Sequence, residues 1–563
     1  MNPTTTKEQP ALPQDALRAF AAALSSTIGL LYPDAPVAEV SFEAPRRPEF
    51  GDFSTNAAFS LARIAKRSPQ DVASALIDAL DTTQPNLRAL FSEIVATAGF
   101  INIRVAPACW RALLAQILRD GASFGQSAPN GARVSLEFGS ANPTGPLVVV
   151  QGRTLSIGET LADALRYCGY DVFTEWIIND AGGQLETLGD SLYARYRQLF
   201  EPAYVFPENG YPGDYLLPIA EQISKQDGAS WCARPQSEWQ PFFAVFARDV
   251  LVAEQHATVE RFGVRYDLWQ SEKALHDDGR VKAGLQRLVD GGVTYERDGA
   301  LYFRATQFGD DKDRVLVRAD GRPTYLAADV AYHYEKLKRS DRVIDLLGPD
   351  HHGYIGRLQG LAEALGYKGR LEVLIAQQIT LMRGGEQIAM SKRAGHIITL
   401  DEIIDEVGVD AARFFFVMLS AESPLTFDLA LAKAKTNDNP VYYVQYGHAR
   451  IASVFKNASP EDAAAASAGA TLELLTHSTE LALIRRLAEL PKTVANVVEH
   501  LAPHRLTRYA RDVAADFHQF YTERKILVDD RDTRIARLAL SLATRTVLAQ
   551  VLGLIGVSAP EHM

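Results

Sequence analysis

Four short groups of residues in this 563-residue chain carry side chains suited to chemistry. The first joins Glu137, Ser140 and Asn142 to the run Pro143-Thr144-Gly145-Pro146-Leu147-Val148-Val149-Val150-Gln151-Gly152-Arg153. A carboxylate set beside carbonyl oxygens accepts hydrogen bonds from an ammonium or a guanidinium. The second is Tyr325-Leu326-Ala327-Ala328-Asp329. On a helix, positions i and i+4 share a face, so this phenol and carboxylate can pack over and pair with a planar guanidinium. The third, Pro349-Asp350-His351-His352-Gly353-Tyr354, follows the apolar run Val343–Leu347 and so sits at the carboxyl end of a predicted strand, where α/β sheets bind ligands. Adjacent histidines on a strand end diverge, which argues against a shared metal. The fourth is Ala389-Met390-Ser391-Lys392-Arg393, whose lysine is a mobile point charge suited to an anionic group. The chain has no Gly-Lys dipeptide and hence no Walker A loop, so a nucleotide would be held another way.

The elements around these groups read as an α/β core between two smaller units. Arg133–Phe138 alternates as a strand, an Asn-Pro-Thr-Gly-Pro turn follows, and a helical pattern runs from about Val150 to Tyr167, closed by Gly169. Asp171–Ile178 reads as the next strand. Strand, turn, helix, strand opens a doubly wound parallel sheet, and such a turn aims a helix N-terminus at a phosphate. Before it, up to about Asn130, Ala16–Leu31 reads as a helix, Ser68-Pro69 as the cap of a helix over Asp71–Leu80, and Phe91–Val105 as strands broken at Gly99, a small α+β unit. The Pro-, Gly- and aromatic-rich stretch from Phe200 to Trp239 reads as an insertion with loops. The α/β character returns near Tyr302, with strands over Val343–Leu347 and Ile375–Leu381. Beyond about Asp410 strand signals vanish; Ala463–Ala470 reads as a connection between helices, and the remainder to about Gly556 as a helical bundle.

Composition sets limits. A hydrophobic content of 47% and a charged content of 23% are those of a soluble globular protein, and the length calls for two to four domains. No apolar run approaches the roughly 18 residues of a membrane span, and the polar Met1–Gln14 lacks the regions of a signal peptide, so a cytoplasmic protein is expected. Cys109, Cys168 and Cys232 form no C-x-x-C pair, so neither a disulfide framework nor a structural metal is expected. A net charge of −11 excludes a coat of nucleic-acid-binding charge but not local basic patches. Arg505, Arg508 and Arg511, then Arg531, Arg534 and Arg537, recur at helical spacing and on their own read as a solvated face.

The wording of these segments resembles the arginyl-tRNA synthetases, a class I aminoacyl-tRNA synthetase family. Glu137-Phe138 followed by Ser140–Leu147, the run Gly321-Arg322-Pro323-Thr324-Tyr325–His333, and Met390-Ser391-Lys392, with Ala389 for the first lysine of Lys-Met-Ser-Lys-Ser, carry the likeness. So do Gly51–Asn56, Ala98–Asn102, Asn439–Arg450 and the terminal Leu554–Met563. The resemblance implies a Rossmann-like doubly wound parallel sheet within about 131–430, with an insertion near 200–300. It also implies an N-terminal α+β domain over about 1–130 that touches tRNA and a helical anticodon-binding domain over 431–563. It implies an arginine–tRNA ligase that uses ATP with Mg²⁺, arginine and tRNA(Arg), acts as a monomer and has no membrane attachment. By the same likeness Glu137, Ser140, Asn142, Tyr325 and Asp329 hold arginine. Pro146, Val148, Val150, Gln151, Asp350, His352, Gly353, Met390 and Lys392 surround ATP, with Lys392, Gln151, Ser391 and Met390 catalytic. Asn56, Tyr442, Tyr446 and Arg450 meet tRNA, the aromatics stacking on splayed-out bases.

One departure bears on catalysis. Val148-Val149-Val150-Gln151 stand where the resembled family has His-x-Gly-His, whose histidines stabilise the α-phosphate under attack. Removing one such donor typically costs about 10²–10³ in rate. The Gln151 amide, the helix N-terminus and Lys392 remain to offset the loss. An active enzyme working by this substituted route is expected; the alternative is a catalytically impaired relative that binds tRNA or senses arginine.

Overall fold

A computed structural model describes residues 11–36, 40–45, 47–388 and 398–563. The N-terminal unit consists of α1 (Pro13–Leu31), β1 (Phe53–Thr55), α2 (Ala57–Ala65), α3 (Pro69–Thr83), β2 (Phe91–Thr97), β3 (Phe100–Val105) and α4 (Pro107–Asp120). Its sheet is antiparallel in the order β1-β3-β2. The Ala98-Gly99 turn, with positive φ at both residues, closes the β2–β3 hairpin. Ser68 caps α3 by accepting from the Asp71 N–H at 3.1 Å, with Pro69 in the first helical position.

The central unit begins with β4 (Arg133–Phe138), α5 (Val149–Tyr167), β5 (Asp171–Ile178), α6 (Gly183–Gln198), α7 (Leu216–Asp227), α8 (Gln236–Arg261) and β6 (Leu268–Ser271). It continues through α9 (Glu272–Asp277), α10 (Arg280–Asp290), the antiparallel trio β7 (Thr294–Arg297), β8 (Ala300–Phe303) and β9 (Arg314–Val317), and then α11 (Tyr325–Arg339), β10 (Arg342–Leu347), α12 (Ile355–Ala364) and β11 (Leu371–Ile375). The main sheet is wholly parallel in the order β11-β10-β4-β5-β6. The chain leaves β4 toward β5 on one side and reaches β10 on the other, so the strand order reverses between β4 and β10, where a crevice opens at the carboxyl ends. Val134 to Phe138 are buried without a break because helices cover both faces. The approach of α5 to β4 is so close that a Cβ on Gly158 would lie 2.1 Å from the Phe138 ring.

Several expectations change here. Ile375–Leu381 is not one strand: β11 ends at Ile375, and after Ala376–Gln378 the chain enters a second sheet as β12 (Ile379–Arg383), flanked by β13 (Glu386–Gln387). The fully buried Arg153 holds that switch by donating to the carbonyls of Gln377, Ser420 and Ser423 at 2.8–2.9 Å. The chain then forms α13 (Leu400–Val407), α14 (Val409–Val417), β14 (Leu425–Asp428) and α15 (Leu429–Lys433). β14 pairs in parallel with β12, so a strand does follow Asp410. The Phe200–Trp239 insertion is loop as far as Tyr215 but mainly helical beyond it, because α7 and α8 pack on α6 around an aromatic cluster in which Tyr193 and Trp239 stack at 3.7 Å. Prolines 218 and 241 lie inside these helices and masked them in the sequence.

The C-terminal bundle comprises α16 (Pro440–Lys456), α17 (Pro460–Ser467), α18 (Ser478–Ala488), α19 (Leu490–His500), α20 (His504–Glu523) and α21 (Arg531–Ile555). The alanine-rich run is not a bare connection, since most of it lies in α17, capped by Ser459. α21 is long and apolar enough to span a membrane by composition, contrary to the expectation of no such run; it is the core helix of the bundle, with Leu538, Val547 and Leu552 fully buried. The arginines of α21 are not merely solvated: Arg531 and Arg534 pair with Asp462 of α17, and Arg537 with Glu480 of α18.

Candidate active site and tRNA surfaces

The crevice between β4 and β10 opens into a cavity of about 630 Å³. Glu137, Ser140 and Asn142 enter its lining from the end of β4 and the turn beyond, Val148, Val150 and Gln151 from the start of α5, Tyr325 and Asp329 from α11, and Asp350 from the end of β10. The three segments singled out on both sides of the sheet therefore meet. Pro146 and Gly353 stay outside the lining; the neighbouring His351 is within it, and the His352 side chain lies outside what the structure describes. Residues 389–397, and with them Met390, Ser391 and Lys392, are outside the described residues.

The turn after β4 is held open by the insertion. Gln255 of α8, buried, donates from Nε2 to the carbonyls of Asn142 and Gly145, and the Tyr215 hydroxyl donates to the Thr144 carbonyl at 2.6 Å. Ser140 Oγ donates to Glu137 Oε1 at 3.0 Å and accepts from the Ile177 N–H of β5. Glu137 Oε2 accepts from the buried Lys336 ammonium at 2.6 Å. Burial raises the Glu137 carboxyl and the Lys336 charge opposes it; with Ser140 and Lys336 both donating, its two oxygens act as acceptors. Glu137 thus meets a ligand as an already partnered group.

Tyr325 and Asp329 do share one face of α11, the tyrosine 60% exposed at the helix start with its hydroxyl near Gly182. The Asp329 carboxylate has no hydrogen-bond or ion-pair partner among the described residues, and burial raises its carboxyl. Glu272, the first residue of α9, was not singled out in the sequence but lines the same cavity, 5% exposed and likewise unpartnered among the described residues. Burial, with the negative charges of Asp329 and Asp180, pushes it to about 7. Two unpaired carboxylates facing one cavity form a receptor for a cation with several donors. The sequence offered no local signal for Glu272, because only β6, pairing beside β5, brings it there.

At the start of α5, Gln151 turns its Oε1 back to accept from the Val148 N–H at 3.2 Å, half of a capping box. Its NH₂ group has no partner among the described residues and belongs to a cavity-lining side chain. The same turn meets the far flank of the Met-Ser-Lys segment: Val148 bridges Thr399, and the Leu400 N–H donates to the Leu147 carbonyl at 2.8 Å. Val148 and Val150 present no donors from their side chains. Among the described residues no group of three His, Cys, Asp or Glu side chains is set to hold a metal.

Away from the cavity, Tyr442, Tyr446 and Arg450 succeed each other on one face of α16. The two rings stack at 5.9 Å, and the Arg450 guanidinium lies 4.5 Å from the Tyr446 ring and 4.8 Å from that of Tyr521. A groove of about 660 Å³ adjoins them, with Lys525 and His562 in its wall. Tyr443 instead packs on His518. Asn56 is exposed at the start of α2 on the rim of a small cavity.

This geometry has counterparts. The chain matches the family models described as "Arginyl tRNA synthetase N terminal domain" over residues 14–105, "tRNA synthetases class I (R), catalytic domain" over 238–416 and "DALR anticodon binding domain" over 444–563. It is 44% identical to the arginine–tRNA ligase of Syntrophotalea carbinolica across 94% of this chain and 95% of that one. It is also 44% identical to that of Moorella thermoacetica, across 98% and 99%. The solved Thermus thermophilus arginyl-tRNA synthetase superposes with a TM-score of 0.73 at 21% identity, covering 97% of this chain and all of that one, and so shares the fold. Full-length identity at this level, joined to a parallel-sheet crevice flanked by matched N-terminal and anticodon-binding domains, makes this chain a member of the arginyl-tRNA synthetase family, the class I arginine–tRNA ligases.

Proposed function

We propose that the crevice activates L-arginine with Mg-ATP and passes it to tRNA(Arg). The arginine carboxylate oxygen bonds to the α-phosphorus, the bond from that phosphorus to the pyrophosphate oxygen breaks, and arginyl-adenylate remains. The terminal ribose hydroxyl of the tRNA then attacks the arginyl carbonyl carbon and AMP leaves, the hydroxyl proton passing to the departing phosphate or to water. Both steps depend on positioning and charge rather than on a covalent enzyme intermediate. The observation that carries this reading is the pair of unpartnered carboxylates, Asp329 and Glu272, in one cavity under Tyr325. They fit a guanidinium, while Ser140, Asn142 and the Lys336-bound Glu137 fit the α-ammonium end.

The α-phosphate falls to the start of α5. Capping by Oε1 supports Gln151 as the remaining donor there, since the amide oxygen is occupied by the Val148 N–H and the NH₂ is left for a phosphate oxygen. Helix-terminal N–H groups and the dipole add to it. The Thr399–Val148 bridge supports bringing Lys392, with Met390 and Ser391, to the pyrophosphate, as it ties the end of that segment to the signature turn. Asp350 and the segment through His352 and Gly353 would border the nucleoside. We assign residues 1–130 to tRNA contact through Asn56, 131–430 to catalysis and 431–563 to the anticodon through Tyr442, Tyr446 and Arg450, in a cytoplasmic monomer. The donor-free Val148 and Val150 favour a second reading, a tRNA-binding relative without catalysis. Charging of tRNA(Arg) with labelled arginine separates the two: accumulation of arginyl-tRNA upholds the ligase, and tRNA binding without charging upholds its rival.

A further inference from the structure

Behind the proposed guanidinium site lies a buried cluster of four charged side chains. Lys336 of α11 is fully buried, its ammonium 2.6 Å from Glu137 Oε2 and 2.5 Å from Asp345 Oδ1. His333, almost one helical turn earlier, sets Nε2 2.9 Å from Asp345 Oδ2 and Nδ1 2.8 Å from the main-chain carbonyl of Asp329. Both partners of the ring are acceptors. A carbonyl cannot donate, and Asp345 accepts from Lys336 through its other oxygen. Burial pushes the Asp345 carboxyl up, but Lys336 and His333 beside it hold it down at about 2. A neutral imidazole has a single N–H and would leave one ring nitrogen facing an acceptor lone pair to lone pair. Burial and the Lys336 charge oppose a second proton; the bond to Asp345 and the charges of Asp345 and Asp329 favour it, and the ring is shifted upward.

We propose that His333 is held as an imidazolium and is a positioning residue for arginine, fixing the turn of α11 that carries Asp329 and balancing the buried carboxylates so that Asp329 stays ionised. This rests on the reading that Asp329 holds the guanidinium. Glu137 of β4 and Asp345 of β10 are negative, and Lys336 and His333 are positive, so the cluster is neutral with the ring charged. With a neutral side chain at 333 it carries one uncompensated negative charge behind Asp329, whose carboxyl then takes up a proton more readily. The other charges facing Asp329 are Arg357 of α12, which lowers its carboxyl, and Glu272 of α9, whose own carboxyl the Asp329 charge raises.

The test is His333→Gln in the full chain, with His333→Asn in parallel. The KM for arginine should rise about tenfold at pH 7 and fall back toward the native value by about pH 9 as Asp329 re-ionises, while kcat and the KM for ATP stay within about twofold. An arginine KM unchanged at every pH, or one that rises together with that for ATP and does not recover, overturns the positioning role. Independently of either variant's activity, ¹⁵N-histidine spectra of the native enzyme, assigned by the loss of one ring in a variant, should show both nitrogens of His333 protonated at pH 7. A bare ring nitrogen overturns the proposal. Asp329→Asn separates the two layers: an unchanged arginine KM there sinks the pocket reading, whereas the spectra still decide the charge of His333.

Discussion

Replacing Asp329 by asparagine removes one charge from the cavity while keeping its size and a hydrogen-bonding group. A charge-assisted hydrogen bond to a guanidinium contributes about 1.5–3 kcal/mol. The Coulomb attraction at about 4 Å with an effective dielectric near 20 sets an upper bound of about 4 kcal/mol. Glu272, the second unpaired carboxylate of the cavity, keeps part of that attraction in the variant. The loss should therefore be about 2–3 kcal/mol, or about 30- to 150-fold in the KM for arginine. The assay is arginine-dependent exchange of pyrophosphate into ATP with tRNA present, run over arginine at saturating ATP and over ATP at saturating arginine. The arginine KM should carry nearly all of the change. A shift of less than about threefold for arginine, or an equal shift for ATP, would refute the assignment of this face of α11 to the guanidinium.

Other outcomes follow from buried acids and close packing. Glu272 titrates near 7 in the free pocket and must be ionised to hold a cation, so arginine affinity should rise with pH up to about 7 and level off above it; calorimetry should find that slope abolished in Glu272→Gln. Glu159 of α5, lifted to about 7 by burial and by Asp163 against the pull of Arg166 and Arg413, binds its proton more tightly folded than unfolded. Its contribution is therefore fully present below about pH 4.5 and lost as pH rises through 7, so Glu159→Gln should raise the melting temperature at pH 8, by up to about 3 kcal/mol of stability, and change it little at pH 5. Gly556 ends α21 with φ +71°, and a Cβ there would lie 2.2 Å from the guanidinium with which Arg413 grips the Ile555 and Phe262 carbonyls. Gly556→Ala should destabilise the chain by about 2–3 kcal/mol in thermal or denaturant unfolding, with little change in the KM for arginine or ATP.

The sequence was most legible where local chemistry and tertiary position agree. β4, the glycine-proline turn, α5 and β5 were read nearly to the residue, because the alternation of Arg133–Phe138 and a helix closed by Gly169 leave local marks, although that alternation did not reveal that Ser135 and Glu137 are buried as well. The break after Ile375 was not read, since apolar residues resume at Ile379 and the groups that turn the chain into the second sheet come from distant segments: Arg153 on the Gln377 carbonyl, and the main chain of Ala421 and Leu425 on Gln377 and Gln378. The alanine run of α17 carries helix propensity that low complexity disguised. In the site, Tyr325 and Asp329 were visible as one helical face, whereas Glu272 and Gln255 reach it from elements far apart in the chain, and the His333–Asp345 contact depends on how α11 folds back against the strand that follows it. The role of Gln151 could be posed from its position, but its capping of Val148, which frees the NH₂, is a matter of geometry.

The central claim is that this chain forms arginyl-adenylate with Gln151 in place of the signature histidines, and arginine-dependent ATP–pyrophosphate exchange in the presence of tRNA(Arg) tests it most directly. The native enzyme should exchange at an easily measured rate, and Gln151→Ala should lower kcat about 10²-fold or more with the KM for arginine nearly unchanged. No exchange by a native enzyme that still binds tRNA, or full exchange by Gln151→Ala, would contradict it.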